Sequence, residues 1–199
     1  MTDLLIWRHG QTEWNASRRV QGQLDSALDE TGLAQARLYS SAIAARNPTL
    51  IISSDLKRAS VTAQALADVT GLPVQLDPRL RERFYGPWQG LTSDEIRARN
   101  PDLFATWRTR AEEDLPGIES LDDLGKRAAA AFADAASQAS SGVAVIVSHG
   151  GAIRAGVAAF LGWPVEAGQT LRVLLNCHLA HLRHTDRFGW DLSAYNTEP

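Results

Sequence analysis

At 199 residues with 44% hydrophobic content, the chain can bury one substantial core without metal or disulfide staples, which predicts one domain over residues 1–199. Basic and acidic residues nearly balance, 20 against 23 for a net charge of −3, so the footprint that phosphate-backbone binding needs is missing and nucleic acid is excluded as an expected partner. A single cysteine, Cys177, rules out an internal disulfide, and no apolar segment suits a signal peptide or membrane span, so the expectation is a cytoplasmic protein with no membrane partner.

The first predicted element is a strand, Leu4 to Trp7, that stops abruptly at Arg8, His9 and Gly10. A helix is predicted from Thr31 to Arg46, where Leu33, Ala36, Leu38, Ala42 and Ile43 follow one face and Pro48 prevents continuation. The run "TLIISS", Thr49 to Ser54, reads as a strand buried on both faces. Arg58 to Thr70 is the next helix, with Gly71 placed to cap it and Pro73 just beyond. "TSDE" at Thr92 to Glu95 fits a capping box before a short helix, and Pro101 opens another that ends near Arg110. The alanine-rich stretch Ser120 to Ala139 is the longest helix candidate. A second buried strand, Val143 to Ser148, is followed by a helix beginning near Gly151. "LRVLL", "HLAHLRH" and "WDLSAY" read as three shorter strands that extend the sheet in antiparallel fashion. The pattern predicts a three-layer α/β/α fold with a mostly parallel central sheet and helices on both faces.

Residues just past the carboxyl ends of parallel strands share a crevice where such sheets bind ligands. Here those ends deliver Arg8 and His9, then Ser54, Asp55 and Arg58, then Ser148, His149, Gly150 and Gly151. A lone strand-end histidine is ordinarily a structural residue, but two histidines beside two arginines are a different case. Guanidinium forks at Arg8 and Arg58 suit a doubly charged anion. Glycines at 10, 150 and 151 are expected to let the backbone approach it, with the helix near Gly151 adding its positive end. Phosphate fits this set best.

"RHGQTEWN" (Arg8 to Asn15), "SSDLKRASVTA" (Ser53 to Ala63), "LRERFYGPWQG" (Leu80 to Gly90) and "SHGG" (Ser148 to Gly151) together resemble the histidine phosphatase superfamily, in its phosphoglycerate-mutase-like branch. The resemblance implies a phosphohistidine intermediate, no metal and no other cofactor. By the same resemblance, His9 is the nucleophile, Glu82 the proton donor, and Arg8, Asn15, Arg58 and His149 the phosphate pocket. Phosphoryl transfer is mostly positioning plus charge stabilisation, which such residues supply, and nearby guanidinium charge keeps His9 unprotonated for attack. The implied partner is a small-molecule phosphomonoester, with a homodimer the one protein assembly left open.

Other readings remain for several residues. Glu82 sits among Arg79, Arg81 and Arg83 and, without the resemblance, reads as a solvated ion-pair partner. Trp14, Tyr85, Trp88 and Trp107 suit either a sugar-binding wall or, more commonly, core. In "CHLAHLRH", strand alternation puts His178 and His184 on one side and Cys177 and His181 on the other, so four zinc ligands cannot converge. The long insertion typical of cofactor-dependent mutases of this family is not found between "LTSDEIRARNPDLFATW" and "LPGIES", which favours hydrolysis. "ERFYG" is close to the mutase form of its motif, so phosphoglycerate mutase is the alternative, followed by a catalytically silent phospho-ligand binder. Among phosphatases, "QGQLDSALDETG" and "WQGLT" look most like those acting on glucosyl-3-phosphoglycerate. Two positions depart from the family pattern: Ala27 stands for a common proline, and Ile118 for the second glycine of "GGES", which puts the backbone of that loop in question.

Overall fold

The structure, a computed structural model, describes residues 2–109 and 115–199. Strand β1 (Thr2–Arg8) leads through the one-turn helix α1 (Glu13–Ala16) to α2 (Glu30–Ala44), β2 (Leu50–Ser53), α3 (Lys57–Thr70) and a short β3 (Val74–Leu76). Two 3-10 turns, Pro78–Leu80 and Gly86–Trp88, precede α4 (Ser93–Arg99), α5 (Pro101–Arg108) and the long α6 (Leu121–Ala139). Then come β4 (Val143–Ser148), α7 (Gly150–Phe160), α8 (Val165–Thr170), β5 (Leu179–Thr185) and β6 (Gly189–Thr197).

The strands form one six-stranded sheet in the order β3-β2-β4-β1-β5-β6. The first four run parallel, while β5 is antiparallel to β1 and β6 to β5. Alternation along β1 shows why its sequence is apolar from Leu4 to Trp7. Leu4 and Ile6 point to one face, where with Ile146, Ala180 and Leu182 they meet Phe132 of α6 and Ile153 and Val157 of α7. Leu5 and Trp7 point to the other, where with Val145 and Val147 they meet Ile43 of α2 and Ala63 and Leu66 of α3. A strand covered on both faces has no polar side to display, so charge is confined to its ends, Asp3 at the entry and Arg8, followed by His9, at the exit.

Local capping follows the sequence closely. Thr92 Oγ1 accepts from Glu95 N (3.3 Å) and Glu95 Oε2 accepts from Thr92 N (2.7 Å), a complete capping box on α4. Gly71 takes the left-handed conformation (φ 73°) after α3, and Ser120 caps α6.

Three features differ from expectation. "LRVLL" is not a strand: the Leu174 carbonyl accepts from the Arg8 guanidinium and Leu175 N donates to Asn196 Oδ1 (2.8 Å), so side chains take the groups that a strand ladder would need. The helices α1 and α8 and strand β3 are too short to carry a legible period. Ile118 does not take the left-handed conformation, which falls to Gly117 (φ 74°), and its side chain joins the small cluster of Trp88, Ile96 and Leu115. The expected helix end near Arg110 lies outside the described residues. Among the described residues no helix is long and apolar enough to cross a membrane.

Ile146 lies fully buried in β4 under α6 and α7. Ile146→Ala is therefore expected to lower the unfolding free energy by about 2–5 kcal/mol in urea titration, and a loss of less than about 1 kcal/mol would contradict this placement.

Candidate active site

β1 ends at Arg8, and the next residue, His9, is buried at the sheet's carboxyl edge. His9 Nδ1 lies 2.7 Å from the Gly10 carbonyl, which can only accept, so Nδ1 carries the hydrogen and Nε2 keeps a lone pair. The backbone is pinned around it. Gly10 N donates to Thr62 Oγ1 (3.1 Å), Thr62 Oγ1 donates to the Arg58 carbonyl (2.7 Å), and Asn176 Nδ2 donates to the His9 carbonyl (3.0 Å). Burial first, then the charges of Arg58 and Arg8, hold the His9 imidazole well below the ordinary histidine range, so the ring is neutral.

β4 ends beside it, with the His149 ring centroid 5.1 Å from that of His9. Arg58 Nε donates to His149 Nδ1 (3.2 Å), and a guanidinium cannot accept, so the hydrogen of His149 sits on Nε2 and reaches Ser54 Oγ at 2.8 Å. Both ring nitrogens are thus engaged with protein. The expectation was a direct pocket contact; in this geometry His149 instead fixes Arg58. Burial and the Arg58 charge hold His149 neutral as well.

Arg58 is fully buried, and its other donors reach the carbonyls of Leu24 (Nη1, 2.8 Å) and Gly22 (Nη2, 2.7 Å). Desolvation lowers its pKa to about 10. Three of its five N–H groups are used, leaving two for a ligand. Arg8 donates from Nη1 to the Leu174 carbonyl, while its buried Nε has no hydrogen-bond partner among the described residues. Among the described residues neither arginine has a carboxylate within ion-pair distance.

Glu82 faces the same cleft from the loop after the first 3-10 turn. Its Oε1 accepts from Arg83 N (2.8 Å) and Ala152 N (3.0 Å), and Oε2 from Gly151 N (3.0 Å). The positive end of α7 is therefore satisfied by Glu82 and not offered to an external anion, as the sequence had suggested. A Cβ at Gly151 would lie 2.5 Å from Glu82 Oε1, so a larger residue there would displace this carboxyl. The neighbouring arginines are occupied elsewhere: Arg79 with Asp77 and Asp134, Arg81 with Asp55, and Arg83 with the Glu119 carbonyl. The ion-pair reading of Glu82 is thereby replaced by a helix-end contact.

Asn15 closes the cleft near α1. Its Oδ1 accepts from Thr12 N, Thr12 Oγ1 and Asn176 Nδ2, so its amide donors are what it presents to the cleft. The cleft, about 160 Å³, is lined by Arg8, His9, Asn15, Arg58, Glu82 and Trp107, with Tyr85 and Arg19 at its rim. Of the aromatic candidates, Trp88 is core, Tyr85 and Trp107 border the cleft, and Trp14 lines a separate surface groove. His178, His181 and His184 contact Asn196, Asp3 and Trp190 respectively, and among the described residues no cluster of three or more His, Cys, Asp or Glu side chains forms.

Sequence reasoning missed Ser54 as the partner of His149, Thr62 and Asn176 as backbone anchors, and the carbonyls of Gly22, Leu24 and Leu174 that hold the arginines. A carbonyl is present at every residue, so only the fold singles these out.

The profile of the histidine phosphatase superfamily (branch 1) matches residues 4–198. The chain is 40% identical over 199 residues to the glucosyl-3-phosphoglycerate phosphatase of Mycolicibacterium vanbaalenii, covering 96% of this chain and 88% of that protein. It is 40% identical over 187 residues to a probable phosphoglycerate mutase GpmB of Photorhabdus laumondii, covering 92% and 85%. A mycobacterial glucosyl-3-phosphoglycerate phosphatase solved with VO3 superposes with a TM-score of 0.90 at 38% identity, covering 98% of this chain and 99% of that one.

Two histidines held neutral by the fold make stability pH-dependent. Below about pH 6.5 the unfolded chain takes up protons that the folded site refuses, so stability is full above about pH 7 and falls on acidification by up to about 1.4 kcal/mol per pH unit for each histidine. Urea unfolding between pH 7.5 and 5.5 is expected to show this slope, and His9→Ala to reduce it. An unchanged slope in the variant would contradict a neutral, buried His9.

Proposed function

The chain belongs to branch 1 of the histidine phosphatase superfamily, and on that basis we propose that it is a phosphatase that hydrolyses a small phosphomonoester through a phosphohistidine at His9. The observation that carries this reading is a neutral His9, with Nδ1 tied to a carbonyl and Nε2 left with its lone pair, beside two arginines that have no carboxylate within ion-pair distance among the described residues.

In the proposed reaction, the remaining donors of Arg8 and Arg58, with the Asn15 amide, grip the phosphoryl oxygens and stabilise their charge in the transition state. The Nε2 lone pair forms the N–P bond as the P–O bond to the alcohol breaks. With the substrate dianion bound beside it, the Glu82 carboxyl is in its acid form and passes its proton to the departing oxygen from Oε2, which has one backbone donor where Oε1 has two. The resulting carboxylate then takes a proton from water as that water attacks phosphorus, releasing phosphate and restoring neutral His9. The charge needed comes from arginine, so no metal enters the scheme.

Relatives named as glucosyl-3-phosphoglycerate phosphatases support a sugar or glycerate phosphate as substrate. Trp107 and Tyr85 line the cleft, and aromatic side chains there suit a sugar ring. A mutase reading is favoured by the GpmB relatives and by the "ERFYG" motif, and differs only in whether the alcohol is retained to take the phosphoryl group back.

Rapid quench of the wild type with glucosyl-3-phosphoglycerate, in EDTA, is expected to trap acid-labile phosphate on His9, and His9→Ala to lose both label and turnover while keeping its circular dichroism. Label on another residue, or turnover surviving in His9→Ala, would overturn the proposal. Release of inorganic phosphate should exceed phosphoglycerate mutase activity even with 2,3-bisphosphoglycerate present; the reverse would install the mutase reading.

A further inference from the structure

The segment Arg81 to Tyr85 joins the two 3-10 turns without ladder or helix of its own, yet its backbone is tightly held. Ser148 Oγ donates to the Leu80 carbonyl (2.8 Å). Arg127, reaching over from α6, donates from Nη1 to the carbonyls of Arg79 and Arg81 (2.6 Å each) and from Nη2 to that of Glu82 (2.9 Å). Its remaining donors meet the Glu119 carboxylate, Nε to Oε1 at 2.6 Å and Nη2 to Oε2 at 2.9 Å. Every N–H of the guanidinium is thereby used. Glu119 closes the other side of the segment: Oε2 accepts from Phe84 N (2.9 Å), its own N donates to the Phe84 carbonyl (2.9 Å), and its carbonyl accepts from Arg83 Nε (2.6 Å).

We infer that Arg127, locked by Glu119, is a positioning residue that aims the Glu82 carboxyl at the leaving oxygen; this rests on the reading of Glu82 as proton donor. The causal link is one peptide plane. The Glu82–Arg83 peptide is planar and trans, so its C=O and N–H point in opposite directions. Arg127 Nη2 and Gln23 Nε2 (3.1 Å) pin the oxygen, which turns the Arg83 N–H onto Glu82 Oε1 at 2.8 Å. That N–H joins those of Gly151 and Ala152 in fixing the carboxyl. Without the grip on the carbonyls the plane can rotate, and the carboxyl keeps only its contacts to α7. Lysine cannot replace the grip, because a single ammonium does not span three carbonyls and a carboxylate. Arg127 makes no hydrogen bond to Arg8, His9 or Arg58 among those described; its positive charge is felt at His149, the acceptor of Arg58 Nε, and Arg127→Lys keeps that charge.

Single-turnover rates of Arg127→Lys, Glu119→Gln, Glu82→Gln and the double variant Arg127→Lys/Glu82→Gln test this on two leaving groups. 3-Phosphoglycerate releases an alkoxide that needs a proton, and p-nitrophenyl phosphate releases a stable anion. Misplacing a catalytic group by about 1 Å costs about 10²-fold, so Arg127→Lys is expected to lose about that factor on 3-phosphoglycerate and far less on p-nitrophenyl phosphate. KM and vanadate inhibition should stay close to wild type. In the Glu82→Gln background the same substitution should add almost nothing. Equal losses on both substrates, or losses that multiply in the double variant, would overturn the inference. Glu119→Gln keeps the acceptor for Phe84 N but loses the charge that locks Arg127, so it should show the same pattern more weakly; it decides the matter if Arg127→Lys fails to fold. Should Glu82→Gln itself injure both substrates alike, the proton-donor reading fails and the inference with it. Leaving-group dependence in Glu82→Gln but in neither Arg127→Lys nor Glu119→Gln overturns the inference alone.

Discussion

Two guanidinium groups, neither with a carboxylate partner among the described residues, govern the crevice at the sheet's carboxyl edge. A buried charge is costly unless it is hydrogen-bonded and paired, and here Arg58 donates to the carbonyls of Gly22 and Leu24 and to His149 Nδ1, while the described residues place no counter-charge within ion-pair distance. In the unliganded site the charge of Glu82 is felt at both Arg8 and Arg58 while its oxygens are turned to backbone N–H groups. The consequences spread outward. Positive potential together with burial keeps His9 and His149 neutral, and an incoming phosphoryl dianion completes the electrostatics that the fold leaves open.

The frame that tolerates this arrangement is the parallel half of the sheet. β1, β2 and β4 are covered on both faces, so their ends are fixed by packing and not by the site itself. Each then contributes a short polar segment: Arg8 and His9, Ser54 with Arg58 one turn later, and Ser148 with His149. Ser148 illustrates the economy of the layout, since its hydroxyl holds the Leu80 carbonyl of the Glu82 segment while the next residue orients Arg58.

The fold was legible where pattern is strong. Uniformly apolar runs marked β1, β2 and β4, capping residues marked ends of α3 and α4, and alanine content marked α6, because burial on two faces, orphan N–H groups and helix propensity leave local signatures. "LRVLL" misled because its aliphatic composition suits a strand while its backbone groups are taken by Arg8 and Asn196 from distant parts of the chain. The site residues were identifiable as types at strand ends. Their hydrogen-bond partners were not: Gly151 was expected to admit an anion and instead makes room for Glu82, and His149 faces Ser54 and Arg58 with both nitrogens. Such roles depend on which groups the fold brings within 3 Å or so, which no spacing in the sequence encodes.

A phosphoryl dianion held by Arg8 and Arg58 is tested most directly by thermal unfolding with increasing inorganic phosphate at constant ionic strength, for the wild type and Arg58→Met. Ligand that binds only the folded state stabilises it by about 2.7 kcal/mol at a hundredfold excess over Kd, so the wild-type Tm should climb with phosphate concentration. The variant, whatever its Tm without phosphate, should show little or no climb. Equal phosphate-dependent shifts in the two proteins would contradict the arginine-built anion site from which the chemistry at His9 follows.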